Sequence, residues 1–184
     1  MEDKDIERVP EERLKSYAQL LERAQQLEQA EQARLGFMEF VQLAWPEFIN
    51  GRHHKIMAEK FNKLADGKIK RLIVNMPPRH TKSEFASFLL PAWMMGNKPH
   101  LKIMQTTHTA ELAFRFGRKV RNLMNTEEYK RIFPKVSLRA DSQAAGRWET
   151  SGGGEYFAAG VGGAVTGRGA DLLIIDDPHS EQDA

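Results

Sequence analysis

Residues 76–84, MPPRHTKSE, have the residue types of a phosphate-binding loop. They follow a short apolar run at residues 71–75 and end in Thr-Lys-Ser, where a helical pattern begins. In such loops, backbone N–H groups at a helix N-terminus surround the anion. A lysine contacts the β- and γ-phosphates and a hydroxyl binds Mg²⁺. Lys82 and Ser83 have the identity and position for these two roles.

The loop departs from the usual pattern G-x-x-x-x-G-K-[ST], because it has Met76 and Thr81 where glycines are expected. Glycine permits left-handed dihedral angles and a close approach of the backbone to the phosphates. Thr81 must therefore take an ordinary backbone conformation or accept strain, while Pro77 and Pro78 stiffen the start of the loop. Thr-Lys-Ser is also a common tripeptide, so the loop alone is not specific.

A second motif, LLIIDDPH, consists of four large apolar residues followed by Asp176 and Asp177. A buried strand that ends in an acidic residue is the way P-loop NTPases hold Mg²⁺ beside the loop serine. We predict that Asp176 lies on the magnesium side and that Asp177 orients the attacking water. The alternative is a surface Asp-Asp-Pro turn. A further strand and helix between Lys82 and Asp176 favour one joint site.

Strands that alternate with helices predict an α/β domain with a largely parallel central sheet flanked by helices. The predicted strands are 71–75, 101–106, 148–150, 156–159 and 172–176. The predicted helices are 11–34, 37–50 with an interruption near Pro46, one ending near residue 64, 82–94 and 110–124. A basic loop follows around Pro134. Ligands of such sheets bind at the carboxyl ends of the strands, where both motifs lie.

Composition narrows the class of protein. The chain has 184 residues, of which 41% are hydrophobic and 28% charged, as in a globular protein with an extra polar element. It has no cysteine, which excludes disulfides and thiolate metal sites. No apolar run approaches the roughly 20 residues of a membrane span, and the acidic N-terminus does not predict a signal peptide.

Charge is unevenly distributed along the chain. Residues 1–34 carry six basic and nine acidic residues, whereas residues 112–139 carry eight basic and two acidic ones. The helix at 110–124 has an apolar face and an opposite basic face, which indicates either a solvated surface or contact with a nucleic-acid backbone. The amphipathic helix at 11–34 either packs on its own domain or serves as a docking helix or short coiled coil. Residues of the basic patch are Arg115, Arg118, Lys119, Arg121, Lys130, Arg131, Lys135 and Arg139.

Three stretches, IKRLIVNMPPRHTKSEFASFLLPAW, TTHTAELAFRFGRKVRNLM and GGAVTGRGADLLIIDDPH, resemble the ATPase domain of the large subunit of tailed-bacteriophage terminases, the DNA-packaging motors. The resemblance runs from about residue 51 to about residue 183. Members of that family often have PPRHGKS or PPRHTKS, so the absent glycine has precedent. The resemblance implies an additional-strand P-loop NTPase fold that hydrolyses Mg-ATP to drive double-stranded DNA into a procapsid.

The resemblance also implies roles for individual residues. The expected nucleotide contacts of the loop are Pro78, Arg79, His80, Thr81, Lys82, Ser83 and Glu84. Arg79 would contact the γ-phosphate, Ser83 and Asp176 would hold Mg²⁺, and Arg168 would act as an arginine finger on a neighbouring subunit. Arg52, His53 and His54 would lie on the adenine side. The alternatives are an exposed turn for Arg79, a surface histidine pair, and a structural loop around Arg168.

The helical pattern predicts an N-terminal amphipathic helical segment over residues 1–36. By the resemblance, residues 37–184 are expected to form an ATPase domain that is incomplete at its C-terminal end. The family continues with a coupling motif on a further strand and a nuclease domain. Expected partners are double-stranded DNA, further copies in a homo-oligomeric ring, a portal protein and a small terminase subunit. We expect no membrane partner, and the expected location is the cytoplasm of the infected bacterial host.

One departure from the family concerns the catalytic carboxylate. Many members have Asp-Glu at the strand end, whereas this chain has Asp176-Asp177-Pro178, so Glu181 is an alternative to Asp177. A helicase-type nucleic-acid ATPase is a rival interpretation, although such helicases usually keep the glycine before the lysine. A nucleotide-binding assembly module without turnover is another.

Overall fold

The computed structural model describes residues 10–163, 165 and 167–179. Its helices are α1 (Glu11–Leu35), α2 (Phe37–Ala44), α3 (Arg52–Ala65), α4 (Leu90–Asn97), α5 (Ala110–Met124) and α6 (Glu127–Ile132), and a π-helical segment, Glu84–Leu89, runs directly into α4. Its strands are β1 (Lys102–Thr107), β2 (Leu138–Ala144), β3 (Arg147–Thr150), β4 (Glu155–Gly160) and β5 (Leu172–Asp176). The α/β class is confirmed.

The strands form one mixed sheet in the order β2-β3-β4-β1-β5. β1 lies parallel to β4 and β5, whereas β2–β3 and β3–β4 are antiparallel. The prediction of a largely parallel sheet is therefore wrong. Only residues 145–146 join β2 to β3, and residues 151–154 join β3 to β4. Such short connections reverse the chain, because a parallel pair needs a longer crossover.

The predicted strand at residues 71–75 is also wrong, because this segment pairs with no strand in the described part of the chain. Leu72 and Val74 are partly buried and Ile73 is exposed, so the side chains do alternate. The segment and β5 line a common cleft of ≈ 400 Å³. A strand requires a hydrogen-bonded neighbour, and this segment has none among the described residues.

α5 confirms its predicted bounds and covers one face of the sheet. Thr109 caps it, since its hydroxyl accepts a hydrogen bond from the Leu112 N–H at 3.2 Å. Gly117 permits a close approach, because a Cβ there would lie 2.4 Å from the Ala145 carbonyl oxygen. The Trp148 indole N–H donates to the Gly117 carbonyl at 3.1 Å. The helix is thus fixed against β3 and the turn before it.

The helix that follows the loop runs from Lys82 to Asn97 and contains the π-helical segment. Pro91 has no N–H to donate, and the Leu90 N–H bonds to the Phe85 carbonyl, five residues earlier. A proline inside a helix removes a hydrogen bond and disturbs the register of the preceding turn. The sequence predicted a helix here but not the π-helical hydrogen bonds to the carbonyl five residues earlier.

α1 packs only by its last turns. Ala30 and Ala33 are buried, and the Trp93 indole N–H donates to the Ala33 carbonyl at 2.8 Å. The apolar side chains nearer its start are more than half exposed: Leu14, Tyr17, Leu20, Leu21 and Leu27. The end of α1 therefore belongs to the same core as the helices after residue 37.

α2 ends at Ala44, earlier than the predicted helix at 37–50, because the residue before a proline is disfavoured in helical geometry and Trp45 precedes Pro46. α6 and β2 lie in the stretch predicted as a basic loop. Within the described ranges, no helix combines the length and apolar composition needed to cross a membrane.

Candidate functional site

The loop adopts a backbone that is unusual for its residues. Arg79 has φ 64° and Thr81 has φ 60°, both in the left-handed region. A β-branched residue in this region is strained, at a cost of roughly 1–2 kcal/mol. Thr81 thus takes the conformation of the glycine it replaces. Positive φ values of this kind occur in loops whose backbone N–H groups bind anions.

The phosphate-loop segment and β5 are joined by a hydrogen bond between a serine and an aspartate. The Ser83 hydroxyl donates to Asp176 Oδ1 at 3.1 Å, and the Ser87 hydroxyl donates to Asp176 Oδ2 at 2.8 Å. Asp176 is buried, with 7% of its surface exposed. The two serines lie one turn apart on the same helical face. Ser87 was not among the predicted site residues, although its spacing from Ser83 could have identified it.

Lys82 and Asp177 form an ion pair. Lys82 Nζ lies 2.6 Å from Asp177 Oδ1 and 4.0 Å from Asp176 Oδ1. Asp177 has φ 43°, and its carbonyl accepts the His108 N–H at 3.1 Å, which continues the pairing of β1 with β5. The structure therefore brings the predicted lysine, serine and both aspartates to one place, the carboxyl end of β5.

A cleft of ≈ 510 Å³ opens over the loop and is lined by residues 76–84 and Asp177. Pro78, Arg79 and His80 are exposed there, and the His80 Nδ1–H donates to the Pro78 carbonyl at 2.9 Å. Lys82 and Asp177 also border the cleft between residues 72–75 and β5. The donor set of Ser83 and Asp176 consists of oxygens, which are the ligands that Mg²⁺ prefers.

Glu84, a predicted nucleotide contact, is paired with a helix of the core instead. Its two carboxylate oxygens lie 2.7 and 2.6 Å from Lys119 Nζ. The ammonium group also lies 4.7 Å from the centre of the Phe88 ring. Glu84 still borders the loop cleft, but its charge is directed toward α5. The charge of Lys119 is therefore neutralised by Glu84 and does not add to the predicted basic patch.

The predicted adenine-side residues divide into two kinds. His54 is 5% exposed and packs against Phe48 and Phe85, with ring centroids 4.6 and 5.0 Å away. It is therefore a core side chain with no free ring face for a base. Arg52 is exposed, and His53 lies between His54 and His80, with ring centroids 3.7 and 5.7 Å away.

Two buried polar atoms near the start of α3 have no hydrogen-bond partner among the described residues. They are Asn50 Oδ1 and His53 Nε2. Buried polar groups are nearly always satisfied, so each of these atoms has capacity for a ligand or a water. Asn50 was not predicted as a site residue, and no sequence motif marks it. At this end of α3 the unpartnered atoms therefore belong to Asn50 and His53, and His54 contributes none.

Arg168 lies away from the loop. Its guanidinium donates to Glu155 Oε1 at 3.1 Å and sits over the Phe157 ring, 4.1 Å from its centre. Glu155 begins β4 and Asp176 ends β5, so these contacts are near the opposite ends of two strands that run in the same direction. Arg168 therefore does not join the site of its own chain. Glu181 lies outside the described residues.

The predicted basic patch is partly neutralised. Lys130 pairs with Glu127 at 2.8 Å, and Arg139 pairs with Asp141 and Glu149, both at 2.7 Å. The exposed members of the patch outside these ion pairs are Arg115, Arg118, Arg131 and Lys135. The part of the patch open to a polyanion is therefore smaller than its sequence suggests.

Comparisons of the chain with models of protein families, with curated proteins and with solved structures find no match.

Proposed function

We propose that the chain binds and hydrolyses Mg-ATP at the junction of the loop and β5. The observation that supports this proposal is the meeting of Ser83 with Asp176 and of Lys82 with Asp177, across more than 90 residues of chain. If the loop and the end of β5 were unrelated surface turns, two adjacent loop residues would not be expected to contact two adjacent aspartates. A glycine-like backbone at Thr81 gives independent support, because strained residues cluster at functional sites.

In this proposal each residue of the site has a separate role. The N–H groups of the loop and Lys82 hold the β- and γ-phosphates, and Arg79 is exposed at the rim, where it can contact the γ-phosphate. Ser83 and Asp176 would hold Mg²⁺, which when bound neutralises phosphate charge. Asp177 accepts a hydrogen bond from the attacking water. Lys82 must exchange Asp177 for phosphate, and this exchange frees Asp177 for the water.

On the wider scale, we propose that this ATPase drives double-stranded DNA into a procapsid, as the ATPase domain of a terminase large subunit in the cytoplasm of an infected bacterium. The motif resemblance supports this part of the proposal. The intact motor would be a homo-oligomeric ring that works with a portal protein and a small terminase subunit. Arg168 would have to leave Glu155 and Phe157 to reach a neighbour's nucleotide.

The Lys82–Asp177 ion pair favours a second candidate, a nucleotide-binding module without turnover. If the pair persists when nucleotide is bound, Asp177 is not available to orient a water. The difference between the two candidates is therefore measurable as phosphate release from bound Mg-ATP.

Calorimetry with Mg-ATP and an assay of phosphate release in the same samples test the proposal. We expect Lys82→Ala to abolish both binding and release. Lys68→Ala is the matched control, because the Lys68 side chain forms an exposed ion pair with Asp66, away from the loop. Binding without release would support the module, and the same affinity in Lys82→Ala would contradict both candidates.

A further inference from the structure

Thr81 needs an external restraint. Its φ of 60° places a β-branched residue in the left-handed region, where the free chain would seldom be found. Strained residues persist only when their surroundings fix them. The loop contains Pro77 and Pro78 but no glycine, so the restraint on Thr81 must come from a contact.

His54 supplies that contact through a directed chain of hydrogen bonds. The Gly51 N–H donates to His54 Nδ1 at 2.9 Å, so Nδ1 is unprotonated and the neutral ring carries its proton on Nε2. The His54 Nε2–H then donates to Thr81 Oγ1 at 2.6 Å. The Thr81 hydroxyl donates in turn to the His80 carbonyl at 2.7 Å. Each donor in the chain has one acceptor.

The ring of His54 is fixed on its other sides. It stacks on Phe85 with an interplanar angle of 30°, and Phe48 meets it at 68°. Phe85 belongs to the π-helical segment after the loop, and Gly51 precedes α3. The imidazole therefore connects the start of α3 to both the loop and the helix that follows it.

We propose that His54 is a positioning residue that holds Thr81 in the glycine-like conformation needed to bind a polyphosphate. The inference rests on the proposed function and explains how a loop without its usual glycine keeps the cradle. It also separates His54 from His53, whose Nε2 has no partner among the described residues.

Variants of His54 and Thr81 in combination test this role. His54→Asn keeps an acceptor near the position of Nδ1 for the Gly51 N–H but is too short to reach Thr81. His54→Gln places an N–H near the position of Nε2. Thr81→Gly removes the need for restraint, because glycine adopts positive φ freely. Each variant is compared with the unmodified chain in both Thr81 and Thr81→Gly backgrounds.

We expect His54→Asn to raise the Kd for Mg-ATP about tenfold when Thr81 is present. This factor corresponds to the free-energy cost of one residue in the left-handed region. In the Thr81→Gly background we expect a rise of less than about twofold, and His54→Gln should recover most of the affinity in the Thr81 background. An equal rise in both backgrounds would overturn the inference. Thr81→Val, which removes the hydroxyl and keeps the strain, should match His54→Asn and serves if that variant does not fold.

A readout without nucleotide separates this inference from the proposed function. We expect ¹⁵N shifts of the His54 ring to show a proton on Nε2, and the urea midpoint of unfolding to fall in His54→Asn more with Thr81 than with Thr81→Gly. If the chain binds no Mg-ATP but shows both results, the proposed function fails and the positioning role stands. A proton on Nδ1, or the same fall in midpoint in both backgrounds, would contradict the positioning role.

Discussion

Asp176 shows at the residue scale how structure and proposed chemistry share the same groups. Its buried carboxylate accepts hydrogen bonds from Ser83 and Ser87, one on each oxygen. Ser87 is fully buried, whereas Ser83 lies at the edge of the loop. The inner serine therefore orients the carboxylate, and under the proposed function the outer serine would share Mg²⁺ with it.

The two serines should differ when each is replaced by alanine. We expect Ser87→Ala to lower the free energy of unfolding by about 1.5–3 kcal/mol, because a buried carboxylate loses a hydrogen bond. Ser83→Ala should cost less in stability, since water can replace a more accessible hydroxyl, but should abolish the dependence of ATP binding on Mg²⁺. Urea unfolding and calorimetry with and without Mg²⁺ measure the two effects. Equal effects in both assays would contradict the assignment.

His54 should make stability depend on pH. Burial, and then the positive charges of His53 and His80, lower the pKa of His54 from its ordinary 6.5. Phe48, Phe85, the Thr81 hydroxyl and the Gly51 N–H also contact its ring and are uncharged. Because the folded-state pKa is the lower one, the contribution of His54 is fully present above pH 6.5 and is lost as pH falls through the lowered value.

Urea unfolding between about pH 8 and about pH 5 checks this dependence. We expect the unmodified chain to lose more stability over this range than His54→Gln, which cannot be protonated there. Parallel pH profiles for the two proteins would contradict the prediction.

At the scale of elements, sequence patterns predicted the helices and strands whose formation depends on one segment. They failed where a strand depends on pairing with another segment. α5 and β5 have their predicted bounds, because helical spacing and a continuous apolar run are properties of the segment itself. Residues 71–75 have the side-chain alternation of a strand, yet their state depends on a neighbour that lies elsewhere. The antiparallel half of the sheet follows from the turns at 145–146 and 151–154, whose glycines were visible in the sequence.

α1 should be separable into a dispensable and an essential part. We expect deletion of residues 1–26 to change the free energy of unfolding by less than about 0.5 kcal/mol, because the apolar side chains in the described part of that stretch are largely exposed. Deletion of residues 1–36 removes Ala30, Ala33 and the acceptor of the Trp93 indole, and should destabilise the fold strongly. Thermal unfolding of both deletions compares them. Equal stability would show that α1 adds nothing to the core.

At the scale of the whole molecule, the sequence predicted the part of the site that follows from residue types and from the order of the segments that carry them. Lys82, Ser83, Asp176 and Asp177 meet as their positions after strand-like segments suggested. The engagement of Glu84 with Lys119 and of Arg168 with Glu155 depends on the packing of distant elements, which no local pattern reveals. His54 was predicted to face the base, because sequence shows a histidine but not its burial.

The exposed basic surface should bind DNA through phosphates. If Arg115 and Arg118 each contact one phosphate, Arg115→Gln with Arg118→Gln should reduce the slope of log K against log salt by about 2, and by the same amount for different DNA sequences. Lys15→Gln on the exposed part of α1 is the control. Titrations over a series of salt concentrations measure the slope. An unchanged slope would remove these arginines from the DNA surface.

The central claim is that the loop and the end of β5 form one Mg-ATP site. The most direct measurement is the affinity for Mg-ATP of the unmodified chain, Lys82→Ala and Asp176→Asn, with urea unfolding to verify that each is folded. We expect each substitution to weaken binding at least about tenfold, a loss of about 1.4 kcal/mol or more, although the two residues lie on different elements. A folded Asp176→Asn or Lys82→Ala that binds Mg-ATP as tightly as the unmodified chain would contradict it.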